Sequence, residues 1–333
     1  MWRSRVAVSL AAIAIALQAT TLYGGVNQWT THGPPEGIHT NGLAVDPADP
    51  HTIYAASESG IFKSVDGGAS WQALAPGNVS FADVTCLAVD PTQPTTVYAG
   101  KRTGEFLRSH DGGTQWENRE IDSGALPISI AVDAGTGAIY VGTQWDNFSN
   151  PVYRSTDGGT TWGGTAIGGG SGYALLADSL NQTVMVGTDY AESTGFYLYP
   201  YGGDVARTLD SGASWSFAPD DLGSPVLALA KDSQGSVYYA GTANGALYRS
   251  FNRGANWALL ATLPGSVGSF LALAVDPSAP SVLYAATGRG VLRSSDAGAS
   301  WRSFNAGMST RDVRALVIDA TGQILHVGTD QGV

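Results

Sequence analysis

Short apolar runs, separated by glycine and polar turn residues, extend along almost the whole chain. Most are four to six residues long, and their apolar positions alternate or are continuous, which is typical of half-buried and buried β-strands. After residue 225 the pattern predicts four consecutive strands, at Val226–Lys231, Ser236–Gly241 and Ala246–Ser250, with the fourth beginning at Trp257. Apolar residues do not recur every three or four positions in these runs, so we expect an all-β protein.

One apolar phrase, LAVDP, recurs at a nearly constant interval. It occurs at Leu43–Pro47, Leu87–Pro91 and Leu273–Pro277, and looser copies end at Asp133, Asp178, Asp232 and Asp319. Successive copies of its Asp are 43 to 45 residues apart, except for one interval of 54 residues. A repeat of this length with four short strands per unit predicts a β-propeller of four-stranded antiparallel blades. The phrase then forms the innermost strand of each blade.

A second phrase, eight residues long, follows each of the first six copies. These octapeptides are Ser64–Trp71, Ser109–Trp116, Ser155–Trp162, Thr208–Trp215, Ser250–Trp257 and Ser294–Trp301. Their third and eighth positions are Asp66, Asp111, Asp157, Asp210, Asn252 and Asp296, and Trp71, Trp116, Trp162, Trp215, Trp257 and Trp301. An Asp side chain accepts the backbone hydrogen bonds of a tight turn, and the Trp can pack between blades. Because Asn252 replaces the acid in one copy, we interpret the octapeptide as a structural joint.

The octapeptides resemble Asp-box (BNR) repeats, whose pattern is S/T-x-D-x-G-x-x-W. The repeating units that contain them span most of the chain. Propellers with this repeat include sialidases, xyloglucanases, sortilin-type receptors and photosystem II stability or assembly factors. In style the chain is most similar to the assembly factors and the sortilin-type propellers. The resemblance implies that each octapeptide joins the third strand of a blade to the outermost strand. It implies no particular activity.

The chain contains seven copies of the inner-strand phrase and six octapeptides. We therefore expect seven blades, of which the last is incomplete or is closed by an N-terminal strand. Residues near Asn27–Thr31 are the candidate closing strand, with Trp29 in place of an octapeptide Trp. The chain ends at Val333, where a third strand should begin, and this predicts a propeller domain over 26–333 that is truncated at its C-terminus.

The N-terminus has the features of a secretory signal peptide. Arg3 and Arg5 precede an apolar run over Val6–Leu17, and small residues follow, so residues 1–25 are predicted to be removed on export. The net charge of −11 argues against nucleic-acid binding. The expected product is an exported monomer, periplasmic or extracellular, with no membrane span after cleavage.

Two insertions interrupt the repeat between the second and third strands of neighbouring blades. In blade 3 the inserted residues include Trp145, Asp146 and Phe148, and in blade 4 they include Tyr190, Glu192, Tyr199 and Tyr201, flanked by Asp189 and Asp204. Aromatic rings beside carboxylates suit a protein or glycan partner. The alternatives are a lid that packs on itself and a catalytic site that uses Glu192, Asp189 or Asp146. Neither a metal site nor a cofactor site is predicted.

We interpret the protein as a non-catalytic scaffold that binds a protein or glycan on the face carrying these insertions. A glycoside hydrolase, with its site on the rim of blades 3 and 4, is the alternative. Two departures count against it: the Arg–Ile–Pro phrase expected of sialidases is absent from the sequence, and xyloglucanases use two facing propellers, whereas this chain contains one.

Overall fold

The computed structural model describes residues 29, 39–74, 79–122, 124–144, 150–165, 167–168, 170–189, 202–265 and 267–333. All regular elements in these ranges are β-strands. In the first three blades they are β1 (Thr40–Val45), β2 (Ile53–Ser57), β3 (Gly60–Ser64), β4 (Gln72–Ala73), β5 (Val84–Val89), β6 (Val97–Lys101), β7 (Glu105–Ser109), β8 (Glu117–Glu120), β9 (Leu126–Val132), β10 (Ile139–Gln144), β11 (Val152–Ser155) and β12 (Gly163–Gly164). The later strands are β13 (Gly172–Asp178), β14 (Thr183–Thr188), β15 (Val205–Thr208), β16 (Ser216–Phe217), β17 (Val226–Lys231), β18 (Tyr238–Thr242), β19 (Ala246–Ser250), β20 (Ala258–Thr262), β21 (Ala272–Val275), β22 (Leu283–Thr287), β23 (Gly290–Ser294), β24 (Arg302–Ser303), β25 (Val313–Ile318) and β26 (Leu325–Thr329).

The strands from β1 to β24 form six antiparallel sheets, and each sheet consists of four consecutive strands in sequential order. In blade 5, for example, Ala240 of β18 pairs with Leu229 of β17 on one side and with Tyr248 of β19 on the other. Most of the inner strands contain a register shift near their first residues, which indicates a recurring β-bulge. The repeat in the sequence is thus a repeat of whole sheets.

The predicted architecture of four-stranded antiparallel blades in an all-β propeller is confirmed, but the predicted number of seven blades is wrong. Among the described residues, six sheets have four strands, and the seventh repeat forms a two-stranded sheet of β25 and β26. This repeat has the inner-strand phrase, which is not followed by an octapeptide in this sequence. The two-stranded sheet lies between blade 6 and blade 1, because β25 contacts both β21 and β1.

Of the candidate closing strand Asn27–Thr31, only Trp29 belongs to the described residues. Its indole Nε1 donates a hydrogen bond of 2.6 Å to the carbonyl oxygen of Phe304, and the two rings are 5.5 Å apart in an edge-to-face arrangement. Phe304 directly follows the outermost strand of blade 6. Trp29 therefore packs on blade 6, while the strand predicted around it lies outside the described residues.

The hydrophobic core is divided among the contacts between neighbouring sheets. One cluster combines Tyr54 and Ile61 of blade 1 with Val97, Leu107 and Trp116 of blade 2, and corresponding clusters join the later blades. Each sheet therefore buries both of its faces, which explains why the second strands are almost continuously apolar.

The loops separate into two faces of the propeller. Each octapeptide lies beside the turn between the first and second strands of its own blade, as in the hydrogen bond from Gly67 N to His51 O at 2.9 Å. We call this side the octapeptide face. On the opposite side, loops between blades contact the turns between second and third strands, as in the hydrogen bond from Asn244 N to Ser224 Oγ at 3.2 Å. Because both insertions belong to turns of this second kind, we call it the insertion face.

Candidate functional site

The octapeptides form closed hydrogen-bonded turns. In blade 1, Asp66 Oδ1 accepts hydrogen bonds of 2.8 Å from both the Ser70 amide and the Ser64 hydroxyl. The hydroxyl oxygen of Ser64 in turn accepts a hydrogen bond of 2.8 Å from the amide of Gly68. In every acidic copy, a hydrogen bond from the residue four positions later is the main cause of a lowered pKa of the carboxyl group; these groups are Asp66, Asp111, Asp157, Asp210 and Asp296. These side chains act as hydrogen-bond acceptors within the turn.

The one amide copy is accommodated by a second change in the same turn. In blade 1 the Ser70 hydroxyl donates to Asp66 Oδ2 at 2.5 Å. In blade 5 the direction of this bond reverses, because Asn252 Nδ2 donates to Asn256 Oδ1 at 3.1 Å. Asn252 Oδ1 still accepts from the Asn256 amide at 3.0 Å, so the turn keeps its shape without a charge.

Four of the octapeptide tryptophans, Trp116, Trp162, Trp215 and Trp301, contact described aromatic rings that precede their own blade. Trp116 is 5.3 Å from Phe81, and Trp162 is 4.8 Å from Phe106 of blade 2, both edge to face. Such pairs stabilise by about 0.5–1.5 kcal/mol beyond the area that they bury. The tryptophans are thus dispersed around the ring, one at each contact between blades.

In blades 1, 2 and 4 the basic residue before the octapeptide donates to a backbone carbonyl of the next octapeptide turn. Lys63 Nζ donates to the carbonyl oxygen of Gly112 at 2.9 Å, and Arg207 Nη1 donates to that of Arg253 at 2.9 Å. These residues therefore join neighbouring blades. Arg108 also pairs with Glu117, and Arg293 donates to Tyr284 Oη, each within its own blade.

The insertion face has its most elaborate polar structure at the base of the blade 4 insertion. Asp189 is 9% exposed, and its carboxylate accepts hydrogen bonds from Ser171 N at 2.7 Å, from Ser171 Oγ at 3.3 Å and from Tyr173 Oη at 3.1 Å. Ser171 is the last residue of the connection between blades 3 and 4, and Tyr173 is the second residue of β13 in blade 4. Asp189 therefore attaches the start of the insertion to the beginning of the inner strand of blade 4 and to the residue before it. As a catalytic candidate it would be a buried carboxylate whose oxygens already serve as acceptors.

The other end of the insertion is also held by buried contacts. Asp204 is 2% exposed, and its Oδ1 accepts a hydrogen bond of 2.7 Å from Val205 N. Its carbonyl oxygen accepts from Thr188 N at 2.9 Å, next to Asp189. A Cβ atom on Gly203 would lie 1.9 Å from the carbonyl oxygen of Ser224, so only glycine permits this approach to the next blade connection.

The remaining predicted site residues lie outside the described residues: Trp145, Asp146, Phe148, Tyr190, Glu192, Tyr199 and Tyr201. Ser171 and Tyr173 were missed by sequence reasoning. The only signal for them was the glycine-rich stretch around residues 168–170, which places their loop on the insertion face.

The insertion face of blade 2 contains a buried ion pair. Lys101 is buried and forms an ion pair with Glu105, which also accepts hydrogen bonds from Thr103 Oγ1 and Asn118 Nδ2. The hydrogen bond from Lys101 is the main cause of a lowered pKa of Glu105. Wherever a described carboxyl group has a shifted pKa, that pKa is lowered, whereas a general acid in glycoside hydrolysis needs a raised one.

The described ranges contain neither a metal-binding cluster nor a membrane-spanning helix. They contain no group of three or more His, Cys, Asp or Glu side chains placed to hold a metal ion. Within the same ranges, no helix has the length and apolar character needed to cross a membrane.

No protein-family model matches the sequence. No curated protein matches it either. Solved structures do resemble the fold. YCF48 bound to a D1 peptide is 17% identical with a TM-score of 0.66, over 90% of this chain and 95% of YCF48. The GH74 xyloglucanase from Xanthomonas campestris is 20% identical with a TM-score of 0.63, over 92% of this chain.

A third similar structure is the extracellular domain of the one-component system BT4673 from B. thetaiotaomicron, at 16% identity and a TM-score of 0.65. This chain spans 50% of the xyloglucanase and 38% of the BT4673 domain. At these identities the similarity shows a shared β-propeller fold.

Proposed function

We propose that the protein is an exported, non-catalytic β-propeller scaffold that binds a protein segment or a glycan on the insertion face of blades 3 and 4. The octapeptides are then Asp-box repeats whose role is to join the blades. The observation that supports a binding rim is the anchorage of Asp189 by Ser171 and Tyr173. This anchorage fixes the residue from which the aromatic-rich insertion begins, and a fixed base lowers the ordering cost of binding.

The similarity to YCF48 is compatible with this function, because that propeller was solved with a peptide bound and matches this chain over almost its whole length. Export is supported by the N-terminal sequence pattern. Tyr and Trp side chains in the insertions would supply the contact area, as they do in many protein and carbohydrate interfaces. We expect the scaffold to be a monomer.

A glycan array and a displayed peptide library, both probed with the mature protein, test the proposal. In the informative variant, residues 190–201 are replaced by an Ala–Asn turn copied from Ala243–Asn244, the short turn at this position in blade 5. Ligands that bind the protein should lose at least tenfold in affinity with this variant. The control Arg289→Ala, in the exposed turn of blade 6 on the same face, should bind normally.

A second assay, of enzymatic turnover, decides the hydrolase alternative. The protein is incubated with xyloglucan and with aryl glycosides, and Glu192→Gln serves as the comparison. Turnover that Glu192→Gln abolishes would overturn the scaffold proposal in favour of a hydrolase. Full ligand binding by the variant lacking residues 190–201 would overturn the location of the site.

A further inference from the structure

Exposed large apolar side chains are concentrated on two blades. Five such side chains occur among the described residues, and four of them belong to blades 4 and 5, namely Leu180, Leu209, Phe251 and Leu259. Leu180 is 71% exposed in the first turn of blade 4, and Phe251 is 66% exposed in the octapeptide of blade 5. Leu209 and Phe251 occupy the second octapeptide position, where blades 2, 3 and 6 have His110, Thr156 and Ser295. The turn itself therefore does not require an apolar residue there.

Two arginines link three of these side chains into one surface on the octapeptide face. Arg207 Nη1 donates to the carbonyl oxygens of Asn252 at 3.3 Å and Arg253 at 2.9 Å. Arg253 Nη1 approaches the carbonyl oxygen of Asn181 at 3.5 Å. Leu180 is one residue from Asn181, Leu209 is two residues from Arg207, and Phe251 is one residue from Asn252. All three apolar residues are therefore next to these contacts in the sequence.

A third arginine completes the surface. The guanidinium of Arg249 stacks on the ring of Phe251, 4.6 Å from its centroid. We call the set the basic–apolar patch, and its members are Leu180, Leu209, Phe251, Arg207, Arg249 and Arg253. None of the three arginines forms an ion pair with a described residue. The octapeptides of blades 4 and 5 contribute one carboxylate beside these three arginines, Asp210, whose oxygens accept hydrogen bonds from Thr208 and Ser214, so the patch has a local excess of positive charge in an acidic chain.

Arg253 is not demanded by the backbone of its turn. It has a φ of 55°, in the left-handed region, and the equivalent residues in blades 1 to 3 are Gly67, Gly112 and Gly158, which also have positive φ. Glycine is the unstrained choice at such a position, and a longer side chain costs about 1 kcal/mol there. Blades 4 and 6 have Ser211 and Ala297 there with a φ of 57°, so the turn accepts a side chain but does not require an arginine.

We propose that the basic–apolar patch is a docking site for an acidic protein segment that carries apolar side chains. Carboxylates of the segment would pair with Arg249 and Arg253, and its apolar side chains would cover Phe251 and the two leucines. Arginine and aromatic residues are enriched in protein interfaces, and the guanidinium fork suits carboxylates. An anionic membrane is disfavoured, because its extended surface would also face the exposed carboxylates of the other octapeptides, Asp111, Asp157 and Asp296, whereas a short segment contacts the patch alone. The site lies on the face opposite the insertions, so both faces can be occupied together.

The test uses the full mature protein and a displayed library of 12-residue peptides. Selected peptides should be rich in Asp, Glu, Leu and Phe, and their affinity, measured by fluorescence anisotropy, should fall as salt is raised. The double variant Arg253→Gly and Phe251→Thr uses residues that other blades have at these positions, so it should fold normally, as checked by thermal melting. It should weaken peptide binding at least tenfold.

Two controls make the result specific. Val65→Thr changes the equivalent exposed position of blade 1, and the variant lacking residues 190–201 changes the opposite face; both should bind the peptides as the unmodified protein does. Selection of peptides without acidic residues, or equal binding by the double variant, would overturn the proposal. It would also be overturned if no peptide binds while vesicles of phosphatidylglycerol and phosphatidylcholine do, because the patch would then recognise lipid.

Discussion

The joint between blades 1 and 2 and the joint between the two-stranded sheet and blade 1 use the same backbone arrangement with different side chains. In the first, Tyr54 Oη and Lys63 Nζ both donate to the carbonyl oxygen of Gly112, at 3.2 and 2.9 Å, and Trp116 is 1% exposed. At the closing joint, His326 of β26 occupies the repeat position of Tyr54 and lies beside Gly68, the fifth residue of the blade 1 octapeptide.

The polar groups at the closing joint are therefore less well satisfied by hydrogen bonds. His326 is buried and its Nε2 has no hydrogen-bond partner among the described residues, while Trp71 at this joint is only partly buried. Burial lowers the pKa of His326 to about 4, although the charge of Asp319 opposes the shift. Identical turns therefore do not give identical joints. At the joint between blades 1 and 2 a second-strand residue and a basic residue both donate to the next turn, whereas at the closing joint His326 lies at the second-strand position.

Removal of the tryptophans should reveal the largest difference between the two joints. Trp116→Ala should destabilise the fold by about 3–5 kcal/mol, because it empties a fully buried site. Trp71→Ala should cost less, about 1–3 kcal/mol, because its ring is already partly solvated. Urea unfolding followed by circular dichroism measures both values. Equal losses would show that the two joints are equivalent.

The pH dependence should be specific to the closing joint. The unfolded imidazole binds a proton near pH 6.5 and the folded one near pH 4, so stability is unaffected above pH 6.5 and falls as the pH is lowered towards 4. The total loss should approach about 3 kcal/mol. His326→Tyr should abolish this loss, and Tyr54→His should introduce a similar one at the joint between blades 1 and 2. Urea unfolding at pH 7 and pH 4.5 compares them, and an unchanged pH profile in His326→Tyr would contradict the assignment.

The basic residue before the octapeptide should contribute a smaller, measurable amount. Lys63→Met removes the donor to Gly112 and the ammonium group that lies 5.2 Å from the Tyr54 ring. We expect a loss of about 1–2 kcal/mol in unfolding free energy. Arg302→Met on the exposed outer strand is the matched control and should change stability by less than about 0.5 kcal/mol.

The smallest difference should come from a methyl group placed in each turn. Gly113 and Gly68 both have positive φ, so Ala is strained at either position. At Gly113 the new Cβ would also lie 2.6 Å from Leu74 Cδ1, whereas at Gly68 the nearest atoms of His326 are 3.8 Å away. Gly113→Ala should therefore cost about 1 kcal/mol more than Gly68→Ala in thermal unfolding, since Leu74 can move partly aside. A reversed order would indicate that the closing joint is the tighter one.

Much of the fold could be predicted from the local pattern of apolar residues. Val226–Lys231 and Ala246–Ser250 are strands with the predicted bounds, and the predicted second strand Ser236–Gly241 is observed at Tyr238–Thr242. These runs alternate or are wholly apolar, so local pattern and burial agree. The candidate site was harder to predict from the sequence. The contact of Asp189 with Ser171 and Tyr173 joins residues 16 to 18 positions apart at the open end of the β13–β14 hairpin, and no local pattern of apolar residues encodes it.

The sequence by itself determined the repeating sheet, its turns and the order of its strands, because each of these depends on interactions within about 45 residues that recur in every unit. Only the tertiary structure decided how many blades are complete, which side chain occupies each joint, and that three arginines and three exposed apolar residues share one surface. Those features depend on which unit lies next to which. A sequence repeat is nearly the same in every blade, whereas a contact between blades depends on the residues in which the copies differ.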